Sequence, residues 1–272
     1  MPPHESREPL AQRAQWLRQT IFEMAVRGGR GNIATSFSAV DVLVTLFYGG
    51  VLRYTAGRPH DPDRDPLIVS EADAGMALYP ILVDVGWVPQ AELAWFAQAD
   101  GVLRLYPDPS IPGIDTVGGT PGHGLGISAG LALVAKQDGR SRRAFVLLGE
   151  DECRMGPVWE SAAFAAEHRL DNLIAVVDCN RRRPTGDPGQ LEAQWRSVGW
   201  DTVRIDGHAH DALRAGFARI GRTAARPLAL LADTVRGKGV SFMEHRDGWH
   251  DRMPTPAQAA QARVELAGGA AR

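Results

Sequence analysis

The chain reads as an α/β protein: a parallel sheet flanked by helices on both faces. Two continuous apolar runs, Phe145-Val146-Leu147-Leu148 and Leu173-Ile174-Ala175-Val176-Val177, have the unbroken character of strands buried on both faces. The residues between them follow a helical period, which makes a strand–helix–strand unit. Shorter apolar runs at 67–69, 202–205 and 228–232 supply further strands, the last two joined by a helical pattern across 212–220.

Taken in order, Leu10, Ala14, Leu17, Ile21, Met24 and Ala25 recur at helical spacing and predict an amphipathic helix over 9–27, stopped by Gly28-Gly29. A second helix is expected from Ser38, with Val40, Leu43, Val44 and Phe47 inward and Gly49-Gly50 as its end. Residues 58–66 are dense in Pro, Asp and His and form a loop. Leu67-Ile68-Val69 is a short buried strand, with Ser70-Glu71-Ala72-Asp73 at its carboxyl end. Helices over 74–84 and 89–99 follow, then a proline-rich loop at 108–113. The glycine loop at 118–126 leads into a helix through Ile127, Leu131, Leu133 and Val134, with Gly126, Ala129 and Gly130 on a close-packing face. After the last strand, 239–254 lacks periodicity, the Ala- and Gln-rich stretch from Thr255 reads as a short helix, and the tail from about 268 should fray.

Size and composition exclude several classes. A chain of 272 residues, 44% hydrophobic and 23% charged, is expected to form one large domain over 1–272 with a well-buried core. A net charge of −2 gives no argument for nucleic acid or an anionic membrane. Cys153 and Cys179 are too few for a disulfide framework and suit a reducing cytoplasm; their apolar neighbours favour inert packing. Met1-Pro2-Pro3-His4-Glu5 lacks the basic and apolar regions of a secretion signal, and no apolar run is long enough to span a bilayer.

The chemistry is expected beyond the carboxyl ends of the two central strands, where parallel sheets place their ligands. Glu150 and Asn180 lie there, one strand–helix–strand unit apart, and both offer oxygen. Such donors suit a Mg²⁺ that keeps waters and holds a substrate's phosphates. The glycines Gly122, Gly124 and Gly126 do not make a dinucleotide loop. That loop follows directly on a strand and is answered some 20 residues later by an acid, whereas here Pro112-Gly113-Ile114-Asp115 precedes and Arg142 stands at the later place.

One family joins these pieces. Gly149-Glu150-Asp151-Glu152, Gly156, Trp159-Glu160, Leu170-Asp171-Asn172-Leu173-Ile174 and Asp178-Cys179-Asn180 resemble the thiamine diphosphate motif of transketolases, which opens Gly-Asp-Gly and closes Asp-x-Asn. The resemblance extends through Ser38-Ala39-Val40-Asp41, Thr120-Pro121-Gly122-His123-Gly124-Leu125-Gly126, Asp206-Gly207-His208, Thr234-Val235-Arg236-Gly237-Lys238-Gly239-Val240 and Gly248-Trp249-His250. It runs in order over nearly the whole chain.

The resemblance implies a thiamine diphosphate-binding fold that holds the diphosphate end of the cofactor through Mg²⁺. Gly119, Thr120 and Pro121 then line the thiazolium ring, and Glu150, Asn180 and the backbone carbonyl of Arg182 take the metal. Glu150 stands where the family has Asp, and Asp151 where it has a glycine close to the diphosphate, so either acid is a candidate ligand. Of the histidines that the family uses for diphosphate and substrate, Asn32, Asp73 and Tyr106 occupy three places and His250 remains; His123, a second candidate, replaces a usual Gln. Asp73, Asp151 and His250 are thus expected at the cofactor, and His250 and His123 as catalytic groups. His123 has an equal alternative reading as a helix-capping residue. Met155 replaces an interface glutamate, and Arg181-Arg182-Arg183 is either a solvated loop or a contact for an anionic substrate.

In the family, the glutamate that activates the aminopyrimidine comes from a later domain. The resemblance therefore implies a separate pyrimidine-binding subunit, two of each chain in the assembly, and transfer of a two-carbon ketol or related acyl unit in a specialised pathway. A scaffold or regulator that binds no cofactor is the alternative that the altered histidine places leave open.

Overall fold

Residue by residue, the central strands of the sheet feed two different cores. The computed structural model describes residues 8–117, 120–180, 188–222 and 225–268. Five strands, β1 (Leu67–Val69), β2 (Ala144–Gly149), β3 (Leu173–Cys179), β4 (Asp201–Asp206) and β5 (Leu228–Asp233), run parallel in the order β1–β2–β3–β5–β4. In β2 and β3 every residue is buried. Phe145, Leu147, Ile174, Val176, Leu228 and Leu230 point to one side, against α1 (Leu10–Gly28), α2 (Ile33–Tyr48), α3 (Leu78–Asp84), α7 (His210–Phe217) and α8 (Pro256–Leu266). Val146, Leu148, Ala175, Val177, Ala229 and Leu231 point to the other, against α4 (Gly124–Gln137), α5 (Gly156–Glu167) and Trp195 of α6 (Pro188–Ser197). The sheet flanked on both faces is thus as the sequence predicts. Burying each large aliphatic chain contributes about 1.5–3 kcal/mol relative to leaving it in water.

Register decides what meets at the strand ends. Gly149 pairs with Asp178, and Cys179 with Asp233, so β2, β3 and β5 finish together on one rim. The opposite rim is clasped by Asp65, just before β1. Its sealed carboxylate takes Arg53 Nη2 at 2.8 Å, the Arg143 backbone N–H at 2.9 Å and Arg143 Nε at 3.0 Å.

Five elements depart from expectation. α2 begins at Ile33 rather than Ser38 because all of its residues are buried, so its first turn carries no polar face to mark the period. Residues 72–77 and 90–95 form 3-10 helices. α4 begins at Gly124, where an added Cβ would stand 2.4 Å from the Ser70 Cβ, and Gly126 meets Ser161 across α5. Gly130 instead has open space around it, so Gly124 and Gly126 are the close-packing glycines of this helix. α6 has no counterpart in the sequence reading: among its described side chains Trp195 is the one fully buried, too little for a periodic signal. Among the described residues no helix is long and apolar enough to cross a membrane.

Candidate functional site

The carboxyl ends of β1, β2 and β3 and the loop after β5 open onto a cavity of about 880 Å³. Glu71 and Asp73 enter it after β1, Glu150 and Asp151 after β2, Asn180 after β3 and Arg236 after β5, with Pro121, Tyr106 and His250 completing the wall. Five of the predicted positions therefore meet: Asp73, Glu150, Asp151, Asn180 and His250, with Pro121 as a sixth. Thr120 and His123 lie beside a neighbouring cavity of about 260 Å³. The His123 ring is turned back on its own loop, with Nδ1 3.2 Å from the Pro121 carbonyl, and it makes no capping bond to α4. Gly119 and Arg182 fall outside the described residues.

A buried acid staples the rim. Glu152 Oε2 accepts the Gly149 N–H at 2.7 Å, while Oε1 accepts the Gly122 N–H at 2.7 Å and the Ser70 hydroxyl at 2.5 Å. Ser70 Oγ in turn accepts the Gly124 N–H at 3.2 Å. One carboxylate thus binds the end of β1, the glycine loop and the end of β2. Burial still pushes its pKa up, against the pull of these donors.

Asp178, fully buried at the end of β3, is a second anchor. It accepts Ser38 Oγ from α2 at 2.5 Å, Asn180 Nδ2 at 3.2 Å and the Thr234 hydroxyl from the loop after β5. The contacts of Asn180 to Asp178, Ser38 and Glu71 all run through its amide nitrogen. Its carbonyl oxygen is left for the cavity, the orientation a metal ligand requires.

Glu71 shows what the site lacks. Its Oε1 takes Asn180 Nδ2 at 3.4 Å, while Oε2 is sealed and has no hydrogen-bond donor. Burial, then Asp178, Glu152 and Asp73, pushes this acid well above the ordinary carboxylate range. Acids on this wall (Glu71, Asp73, Glu150, Asp151, Glu152) outnumber its arginines, Arg154 and Arg236, a balance that a divalent cation would offset. Among the described residues no three His, Cys, Asp or Glu side chains are placed to hold a metal by themselves. A cation here would share its oxygens with phosphate and water, the habit of Mg²⁺. The donor set fits a metal diphosphate.

The family model described as "Transketolase, thiamine diphosphate binding domain" matches residues 12–266. The chain belongs to that family. The human transketolase-like protein 2 is 33% identical over 95% of this chain, which spans 43% of that relative's length. One subunit of the apulose-4-phosphate transketolase of Phocaeicola vulgatus is 29% identical and is matched over 94% of its own length. The transketolase structure from Leishmania mexicana superposes with a TM-score of 0.87 at 18% identity, covering 97% of this chain and 42% of that one. That from Campylobacter jejuni gives 0.85 at 24% identity, covering 96% and 43%.

Within this transketolase domain the unusual positions are not scattered. Asn32 Nδ2 donates to the His250 carbonyl at 3.0 Å, and Asp73 Oδ2 lies 3.3 Å from His250 Nε2. Two of the three altered histidine places therefore contact the one that remains, while Tyr106 is half exposed at the cavity mouth. The Asp206-Gly207-His208 stretch is used below the floor: His208 Nδ1 meets Asp41 at 2.7 Å and Nε2 accepts the Val235 N–H at 2.8 Å. Asp41 also pairs with Arg18 at 2.5 Å. Sequence reasoning assigned no role to Glu71, Glu152, Asp178 or Arg236. Glu152, Asp178 and Arg236 stand inside the motifs that carry the resemblance, while Glu71 was marked only by its position just beyond the end of β1.

Proposed function

We propose that this chain holds the diphosphate end of thiamine diphosphate through a Mg²⁺ ligated by Glu150 or Asp151 and by Asn180, with the Arg182 carbonyl as the remaining protein ligand. Pro121 and its glycine loop, with Gly119 and Thr120, would meet the thiazolium, and His250 and Asp73 the substrate side. When bound, the cofactor supplies a nucleophilic carbon that accepts and stores the electrons of a carbonyl substrate. The chain's own work is to orient, to neutralise and to exclude water. Glu152 and Asp178 fix the rim, and Glu150 or Asp151 with Asn180 would hold the cation that takes the diphosphate. A separate pyrimidine-binding subunit would complete the enzyme, in an assembly of two of each chain. Together they would move a two-carbon ketol or related acyl unit between small-molecule donor and acceptor. The Phocaeicola vulgatus relative, named as one subunit of a transketolase and matched over nearly its full length, supports a divided enzyme. Two buried, unpaired cysteines, Cys153 and Cys179, with thiols pushed up by burial, suit a reducing cytoplasm.

The observation that carries this reading is the convergence of Glu150, Asp151 and Asn180 beside the orphaned Glu71 oxygen. The test titrates thiamine diphosphate with Mg²⁺ into the chain together with its partner and follows thermal stability. Saturation at a hundred times Kd adds about 2.7 kcal/mol. Asn180→Ala should abolish the shift, as should Ala at whichever of Glu150 and Asp151 is the ligand. Asp73 and Asp151, both acidic beside a diphosphate, favour one alternative, a cofactor-free scaffold. No stabilisation at saturating cofactor would establish it.

A further inference from the structure

Among the described residues His250 is the histidine on the cavity wall, and both of its ring nitrogens have charged neighbours. Arg236 Nη2 lies 3.1 Å from Nδ1, and Asp73 Oδ2 lies 3.3 Å from Nε2. A guanidinium nitrogen only donates. Nδ1 must therefore receive the Arg236 N–H on its lone pair, and the proton of the neutral ring sits on Nε2, the side facing Asp73. The cation is itself anchored, because the same Nη2 lies 2.7 Å from Thr35 Oγ1 in the first turn of α2. The His250 backbone is anchored by Asn32 at the start of that helix.

We propose that Asp73 is a positioning residue, which with Arg236 on the opposite edge holds His250 as a neutral Nε2–H imidazole in one orientation at the cavity. Arg236 selects the tautomer, and Asp73 fixes the direction of its proton. The acid that opposes a diphosphate on charge alone is thereby one end of a compensated row, guanidinium–imidazole–carboxylate. Proton exchange at the ring runs through Nε2 and Asp73, since Nδ1 is occupied. The use of that proton on a carbonyl substrate rests on the function proposed above; the tautomer and its partners do not.

The test is ¹⁵N NMR of the histidine-labelled chain at neutral pH, with the His250 ring assigned by its loss in His250→Gln. The expected wild-type spectrum shows an unprotonated Nδ1, a protonated Nε2, and a ring proton protected from exchange with water. Asp73→Asn keeps an acceptor oxygen and should keep that proton visible, whereas Asp73→Leu should lose it to exchange without changing the thermal midpoint by more than a few degrees. A protonated Nδ1 in the wild type overturns the proposal. So does a ring proton equally protected in Asp73→Leu. A parallel thiamine diphosphate titration separates the two ideas, since failure to bind cofactor leaves the NMR signature standing and removes only the functional reading.

Discussion

Gly149 and the Glu71 carboxyl are packed against each other: a Cβ on Gly149 would stand 3.0 Å from the Glu71 Cδ. A methyl group at the tip of β2 therefore requires the Glu71 side chain to give by a few tenths of an ångström. Gly149→Ala is expected to lose about 1–3 kcal/mol, as overpacked sites do. It should also weaken cofactor binding, because a displaced Glu71 disturbs its contact with Asn180. The check is a denaturant midpoint beside a cofactor titration, and an unchanged midpoint contradicts the contact.

Buried acids with and without cationic partners should respond to pH with opposite signs. Glu71, Glu152 and Asp178 are raised, in each case chiefly by burial. A raised acid contributes stability that is full below its unfolded pKa and is lost as pH climbs through the folded value. For Asp41 and Asp65 burial also pushes upward, but His208 with Arg18, and Arg53 with Arg143, outweigh it and hold these carboxyls low. Their contribution is present above the unfolded pKa and is lost as pH falls through the folded one. Stability contributed by the raised acids should therefore fall as pH rises above the unfolded carboxylate range, and Glu71→Gln should flatten that decline. Parallel melting curves for wild type and variant across that limb would refute this.

Removing one donor from Asp178 should be costly. Ser38→Ala leaves a fully buried carboxylate short of a hydrogen bond, a loss of about 1–3 kcal/mol. Thr234→Val removes a second donor from the same group. Because both act on one carboxylate, the double variant should depart from the sum of the singles by more than about 0.5 kcal/mol in urea unfolding. Strict additivity would mean that Asp178 does not couple α2 to the loop after β5.

Asp41→Leu strips Arg18 of its buried partner and should cost about 3–5 kcal/mol. Glu23, paired with Arg263 on the surface, is the control: Glu23→Ala should change stability by about 0–1 kcal/mol. Chemical denaturation of the two variants side by side distinguishes them, and equal losses would show that the Asp41 cluster is not a support for the floor.

The frame of this fold was legible because its strands carry their own signal. Phe145 to Leu148 and Leu173 to Val177 are apolar without interruption, and that pattern has few other homes. α2 was half legible, since a helix buried all round has no polar face to count. α6 was illegible, with Trp195 as its buried anchor. At the site, Glu150 and Asn180 could be placed because strand ends converge in any parallel sheet. Glu152 could not, because its role depends on three backbone and hydroxyl donors, two of them brought from segments some 30 and 82 residues away. The row through Asp73, His250 and Arg236 was hidden for the same reason: sequence showed three substitutable polar residues, and only folding sets them edge to edge.

The clasp of Asp65 by Arg53 and Arg143 ties the amino-terminal ends of β1 and β2 together, on the margin opposite the cavity. Labels, tethers or surface attachments set in the turns of that margin, for instance near Gly139 or Arg226, would sit a full strand length from the cavity. The protein can thus be immobilised by its quiet edge with the reactive one left open to whatever docks there.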